Sequence, residues 1–315
     1  MADSNKIPRV FIWCWPRTVS TALGKCLSNV DEVQFWNEPY QNCYNNEMHA
    51  KTLSESQGQQ PTDPMVMEYM IKLQQAMATS NTNEFFIGSK SYPQDKFVYP
   101  WVKERLEEDE PGKKFIIIKE LSMAIAGKEQ YLPEQVPMRH LFLIRHPLRI
   151  AKSMAVAVTN SAKLFGQEDV DFEKLRNSPI VNQGPFKRDD SHALWRYIRE
   201  KYGVSPDIFD SDDLCREPER MLPKIFKAMG ISYDEKYLTW DADEEIVKSW
   251  KGSIGGIVTA KATKFYDRAL QSSCFLPPKP ELPKLDDIPK LFRENYDNLL
   301  KSYQEMYEQR VRPDN

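Results

Sequence analysis

The chain has 315 residues and a formal net charge of −3, long enough to bury a substantial core as one large α/β domain or two smaller ones. Near-neutral charge excludes a global electrostatic pull toward nucleic acid or an acidic membrane, so neither is expected as a partner. The opening MADSNKIPRV has no apolar signal-peptide core, and no run approaches the ~20 apolar residues of a membrane span, so a soluble, cytoplasmic protein is expected. Five cysteines form no CxxC pair and read as reduced thiols. Four scattered histidines give no metal-ligand cluster, and no metal is expected.

The first element sets the pattern for the rest. Val10-Phe11-Ile12-Trp13-Cys14-Trp15 is a dense run of aromatic and β-branched residues, the signature of a buried strand. Pro16 stops it, because proline has no N–H for a sheet ladder. Val19, Leu23, Cys26, Leu27 and Val30 then recur at helical spacing, and the helix ends near Asn29. The turn between carries Arg17, Thr18, Ser20 and Thr21. The first N–H groups of a helix have no partner within it and carry partial positive charge, so with an arginine and three hydroxyls they make a pocket for a phosphate- or sulfate-like anion. Hydroxyls at a helix start are also ordinary N-caps, and on this turn alone the two readings stand level. The nucleotide P-loop, GxxxxGK followed by Ser or Thr, does not fit. Gly24-Lys25 is present, but Val19 stands at the first glycine and Cys26 at the magnesium-binding hydroxyl.

Farther along, Glu32-Val33-Gln34-Phe35-Trp36 reads as a second strand running into Asn37-Glu38-Pro39-Tyr40. A carboxylate at a strand end, followed by proline, is where open α/β sheets place chemistry; a surface glutamate in a turn is the plainer reading of this stretch alone. Residues 51–63 read as a polar loop. Residues 65–78 carry helical spacing with Met65, Met67, Met70 and Met77, either core filling or an adaptable pocket lining. Residues 106–110 read as a solvated acidic helix end. Phe115-Ile116-Ile117-Ile118 is the clearest fully buried strand, with Lys119 and Glu120 at its end. His140-Leu141-Phe142-Leu143-Ile144 is another, running into Arg145-His146-Pro147, and Ile150, Met154, Ala157 and Val158 form the helical stripe that follows. Arg145 and Ser153 could reach one anion at the sheet edge, or Arg145 could serve an ion pair.

Residues 161–190 are polar and irregular, and residues 193–202 read as a helix. Ile208-Phe209 is too short to assign firmly. Pro218–Met229 reads as a helix closed by Gly230, with Pro223 inside it as a kink or a later start. Trp250-Lys251-Gly252-Ser253-Ile254-Gly255-Gly256 is a glycine-bearing loop with a cation, suited to close approach to a ligand or simply flexible. A proline-rich stretch precedes a final helix, about 288–308, with Phe292, Tyr296, Leu299, Tyr303 and Tyr307 on one face.

On these residues the chain resembles the sulfotransferases that use 3′-phosphoadenosine 5′-phosphosulfate (PAPS), at four ordered places. Pro16-Arg17-Thr18-Val19-Ser20-Thr21 is similar to the family's 5′-phosphosulfate loop. Arg145-His146-Pro147 with Ser153 is similar to its 3′-phosphate motif. Asp210-Ser211-Asp212-Asp213-Leu214, with Glu217-Pro218 and the helix to Gly230, resembles the acidic turn and helix of its C-terminal half. Lys251-Gly252 resembles the late loop over the 3′-phosphate. Arg17 in place of a lysine sets the chain closer to carbohydrate and bacterial sulfotransferases than to the cytosolic phenol and steroid enzymes. Some of those relatives carry a glutamate after the second strand as general base, and Glu38 is similar in position. His146 replaces the usual aspartate.

The resemblance implies a single α/β domain over residues 1–315, a central parallel sheet flanked by helices with a P-loop-like anion loop, and a polar insertion at about 50–110. It implies transfer of a sulfuryl group from PAPS, leaving PAP (3′-phosphoadenosine 5′-phosphate), to a hydroxyl or amine of a small-molecule acceptor. Glu38 and Arg17 would be catalytic. Arg17, Thr18, Val19, Ser20, Thr21, Arg145, Ser153, Lys251 and Gly252 would bind the donor, with no metal. A magnesium-dependent P-loop-type kinase and a non-catalytic PAP- or PAPS-binding protein are the alternatives. The acceptor and the oligomeric state are not legible.

Overall fold

In the computed structural model, which describes residues 5–55, 92–164, 169–177, 186–243, 245–253 and 265–314, five short apolar stretches lie side by side as one parallel sheet. In chain order the elements are β1 (Arg9–Cys14), α1 (Ser20–Ser28), β2 (Val33–Asn37), α2 (Pro39–Glu55), α3 (Tyr99–Glu107), β3 (Phe115–Leu121), β4 (Met138–Ile144) and α4 (Pro147–Leu164). They continue with α5 (Asp190–Tyr202), β5 (Asp207–Asp210), α6 (Ser211–Arg216), α7 (Pro218–Met229), α8 (Asp267–Leu270) and α9 (Tyr296–Glu308). The strand order is β2-β3-β1-β4-β5.

Side chains alternate along β1 and so divide the core in two. Val10, Ile12 and Cys14 pack with Leu23, Cys26 and Leu27 of α1 and with Leu222 and Phe226 of α7. Phe11 and Trp13 face the other way, against Val102 and Leu106 of α3, Trp195 and Ile198 of α5 and Met306 of α9. Helices therefore cover both faces, which is why the strands read as continuous apolar runs rather than alternating ones. A third cluster joins Trp15 to Ile150 and Met154 of α4, Phe186 and Phe292.

The chain leaves β1 toward β2 on one side and leaves β3 toward β4 on the other, so the connections diverge between these neighbouring strands. Parallel sheets leave an open crevice at such a point, beyond the carboxyl ends of the strands. Register pairs Cys14 with Leu121 and Leu143, and Asn37 with Lys119, bringing the loops after β1, β2, β3 and β4 to one edge.

Several elements differ from the sequence reading. β3 continues through Lys119, Glu120 and Leu121, because the Lys119 ammonium and Glu120 carboxyl find partners there. α2 runs to Glu55, into the stretch read as a loop, and α4 runs to Leu164, into the stretch read as irregular. Ile208 and Phe209 do form a strand, held as an edge strand against β4. Pro223 lies inside α7 without ending it. Phe292 belongs to a 3₁₀ turn, Lys290–Phe292, and the last helix begins only at Tyr296. Leu106, read as part of a solvated end, lies on the inner face of α3 and is fully buried. The methionine-bearing helix read at residues 65–78 lies outside the described residues, as do residues 254–256 of the late loop. Among the described residues, no helix is long and apolar enough to cross a membrane.

Candidate functional site

The turn after β1 holds two residues in the left-handed region, Arg17 at φ 70° and Val19 at φ 65°. That conformation is unfavourable for any side chain and most of all for a β-branched one. Val19 thus adopts a glycine-type backbone at the position where a P-loop has its first glycine. The distortion starts α1 abruptly: Leu23 N donates to Val19 O as the first helical bond, so the amides of Ser20, Thr21 and Ala22 precede the ladder. Ser20 stands against the Cys14 thiol, which burial pushes up to about 11. Thr21 is half-buried on the next step of α1.

Arg17 leans over this turn. Its Nε donates to Ser153 Oγ (3.1 Å) and its Nη1 to Phe265 O (2.8 Å). Among the described residues no carboxylate lies within ion-pair distance of it. Burial, and then the like charge of Arg145, lowers its pKa. Arg145 Nη1 donates to Arg17 O (2.9 Å), while its Nε and the Arg149 guanidinium share Asp212. Two guanidiniums meeting a helix start, with a single carboxylate held to one side, leave local positive charge for an anion to neutralise. The sequence reading gave Arg17 and the Arg145–Ser153 pair to opposite ends of one ligand; the structure joins them directly through Ser153.

The acidic turn buttresses this cluster. The Ser211 hydroxyl lies 2.6 Å from Thr18 O and 2.8 Å from Ile144 O, tying the turn after β1 to the end of β4. Asp210 caps α6 through Asp212 N and Asp213 N, and burial with its acidic neighbours raises its pKa to about 6. His146, in the aspartate's place, does a capping residue's work: its Nδ1 accepts from Leu148 N at the start of α4 (3.2 Å).

Among the described residues, Glu38 is the third non-glycine residue with positive φ, at 53°. Its N–H donates to Lys119 O (2.8 Å), and its carbonyl accepts from Asn42 N and Asn42 Nδ2. The carboxylate is ion-paired to Lys119 through Oε1 and accepts from the Tyr266 hydroxyl through Oε2 (3.0 Å). Lys119 is buried, and despite that burial the Glu38 charge raises its pKa. Glu120, its neighbour on β3, accepts from Tyr40 N and Leu121 N and so caps α2; burial and the Glu38 charge push it up to about 8. Cys14 lies between the two groups, close enough to Ser20 and Thr18 on one side and to Lys119 and Glu38 on the other to respond to all four. Backbone strain at three residues on one edge of the sheet is typical of a site whose geometry is imposed by its surroundings.

Three expected donor-binding residues stand elsewhere. Thr18 is fully buried and its hydroxyl donates to Trp15 O (2.8 Å), closing the turn rather than facing a ligand. Lys251 extends the sheet beyond β2: its N–H donates to Phe35 O and its carbonyl accepts from Asn37 N. Its ammonium pairs with Glu110 over the Trp36 ring, with three strands between it and β4, which Arg145 follows. Gly252 packs on Asn37, where a Cβ would come within 3.0 Å of the carbonyl oxygen. Both therefore support the Glu38 end of the crevice. Lys25 is also turned away from it, its ammonium donating to the carbonyls of Asp241, Asp243, Leu270 and Ser272 at 2.6–3.2 Å.

Tyr266 and Phe265 escaped the sequence reading. They follow a stretch with no strand or helix signal, and only folding brings them to residues some 230 to 250 positions earlier. Lys119 was legible as a strand-end cation, but its partner was not.

No family model and no curated protein matches the chain. Among solved structures it is similar to the sulfotransferase domain of the Synechococcus PCC 7002 olefin synthase, at 15% identity and TM-score 0.43, with 96% of each chain covered. It is similar to a sulfotransferase from Alicyclobacillus acidocaldarius, at 11% identity and TM-score 0.45, with 99% of this chain and 98% of the other covered. It is also similar to mouse sulfotransferase SULT7A1 complexed with PAP, at 12% identity and TM-score 0.43, with 98% and 90% covered.

Proposed function

We propose that this chain is a sulfotransferase, moving a sulfuryl group from PAPS to a hydroxyl or amine of a small-molecule acceptor. The observation that carries the reading is Arg17. It is a half-buried guanidinium with a hydroxyl and a carbonyl as partners, placed over a helix start and beside a second guanidinium. Such a group favours an anion, and the crevice that receives it also holds a carboxylate bonded to an ammonium.

When bound, PAPS would supply an activated sulfuryl group and a phosphate leaving group. The residues present fit it: Arg17 and the first amides of α1 provide donors for the 5′ end, and Arg145 with Ser153 provides donors for a 3′-phosphate. Arg17 would neutralise charge developing on the leaving side, the role that preorganised donors fill in phosphoryl-type transfer. Glu38 would accept the acceptor's proton, a contribution typically of ~10²–10⁴-fold in rate. Lys119 would keep the carboxylate aimed before the acceptor arrives. Burial of the pair limits competition from water for that proton.

The kinase alternative is weakened by Lys25, whose ammonium is committed to four carbonyls, and by Cys26, whose buried thiol donates to Tyr237 O. A purely binding protein would have no need of a strained, ion-paired glutamate beside the anion turn. Calorimetry with PAP, followed by a sulfuryl-transfer screen over phenols, alcohols and amines, tests the reading. Tight binding of PAP and metal-independent transfer support it; ATP-dependent turnover requiring magnesium overturns it.

A further inference from the structure

We infer that Tyr266 is a positioning residue for the Glu38 carboxylate, holding one of its oxygens while Lys119 holds the other. The kinetic consequence rests on the sulfuryl-transfer reading; the hydrogen-bonding consequence rests on geometry alone.

The backbone of Glu38 is fixed on both sides, by Lys119 O and by Asn42, but nothing on its own segment aims the side chain. Two groups do so from elsewhere. Lys119 reaches Oε1 from β3, and the Tyr266 hydroxyl reaches Oε2 at 3.0 Å from the residue before α8. Direction is set by a third residue. Asn37 Nδ2 lies 3.4 Å from the Tyr266 oxygen and donates to it. A phenol has one proton, and with Asn37 donating to its oxygen that proton is directed to Glu38. Lys119 also lies 5.8 Å from the centre of the Tyr266 ring, so ammonium, phenol and carboxylate form one packed unit.

Tyr266 also joins the two halves of the crevice. The carbonyl of the preceding residue, Phe265, accepts from Arg17, while the Tyr266 hydroxyl donates to Glu38. Two consecutive residues thus bear on the anion-facing cation and on the proton acceptor. The groups facing Glu38 are Lys119 and Glu120 on β3, Cys14 on β1 and Tyr266. Of these, Lys119 holds the carboxylate by charge and Tyr266 by donation.

The test is Tyr266→Phe, which keeps the ring over Lys119 and deletes only the hydroxyl. Carboxyl-¹³C spectra at neutral pH, with the Glu38 signal identified by its loss in Glu38→Gln, are expected to show that signal displaced while the Glu120 signal stays. The acid limb of kcat/KM for sulfuryl transfer is expected to move to higher pH, because a donor to the carboxylate is lost, with PAP affinity unchanged. Incorporating 3-fluorotyrosine at position 266, a stronger donor, should move both readouts the opposite way, and it serves if Tyr266→Phe fails to fold. An undisplaced Glu38 signal overturns the inference, as does an unmoved acid limb in an active enzyme. A displaced signal in a chain that neither binds PAP nor transfers a sulfuryl group upholds the positioning and overturns the reading of function instead.

Discussion

Arg17 Nε and Ser153 Oγ lie 3.1 Å apart across 136 positions of sequence. The contact joins the turn after β1 to the helix after β4, and it makes one cluster of two motifs that are separate in the chain. Removing the guanidinium with Arg17→Ala should weaken PAP binding by roughly 10- to 100-fold, the scale of a lost charge-assisted contact. Arg17→Lys should restore only part of that loss, because an ammonium cannot reproduce the planar fork that reaches Ser153 and Phe265 together. Calorimetry on the three proteins checks both expectations, and equal affinities would remove Arg17 from the anion site.

Glu38→Gln should lower turnover by ~10²–10⁴-fold while leaving PAP affinity nearly intact. The amide keeps the shape of the side chain but cannot take up the acceptor's proton. Unchanged single-turnover rates would rule out Glu38 as the base.

Lys251→Ala and Gly252→Ala separate the two ends of the crevice. Lys251 is paired with Glu110 beside β2, so its removal should leave PAP affinity unchanged and reduce thermal stability. An added Cβ at Gly252 would press on the Asn37 carbonyl and shift the peptide that leads into Glu38. Turnover should fall with nucleotide affinity retained. A large loss of PAP affinity in either variant would restore the phosphate-binding role that the sequence resemblance implies.

Stability should decline as pH rises from about 6.5 to about 8, by a few degrees of melting temperature. The Glu120 carboxyl is raised from an ordinary 4.5 to about 8, so in this window the folded chain binds more protons than the unfolded one, and folding weakens with rising pH. His140 works in the other direction. Burial lowers it from 6.5 to about 4, so it adds stability as pH rises through that lower range and nothing further above it. Melting curves of Glu120→Gln should lose the decline above pH 6.5; a variant that keeps it would place its origin elsewhere.

Much of the fold was legible because buried parallel strands are written as local runs. The stretches around Phe11, Ile117 and Leu141, and the helical stripes that follow β1 and β4, need no long-range information. The turn after β1 could be read for the same reason, since Pro16, Arg17, Ser20 and the α1 stripe are contiguous. What escaped was pairing. Nothing local says that Lys119 meets Glu38, that Lys251 meets Glu110, or that Thr18 turns inward. Those outcomes depend on strand order, which places Asn37 beside Lys119 and sets Lys251 on the far side of β2. Tyr266 escaped because tyrosine before a four-residue helix carries no signal until the chain is folded.

The four carbonyls around the Lys25 ammonium come from residues 241–272, although Lys25 itself sits on the first helix. During synthesis that helix would emerge with its cation facing an apolar surface and no acceptors to receive it. Its final seating must wait for the last quarter of the polypeptide to leave the ribosome. A nascent fragment ending before position 241 is therefore expected to hold its first crossover loosely.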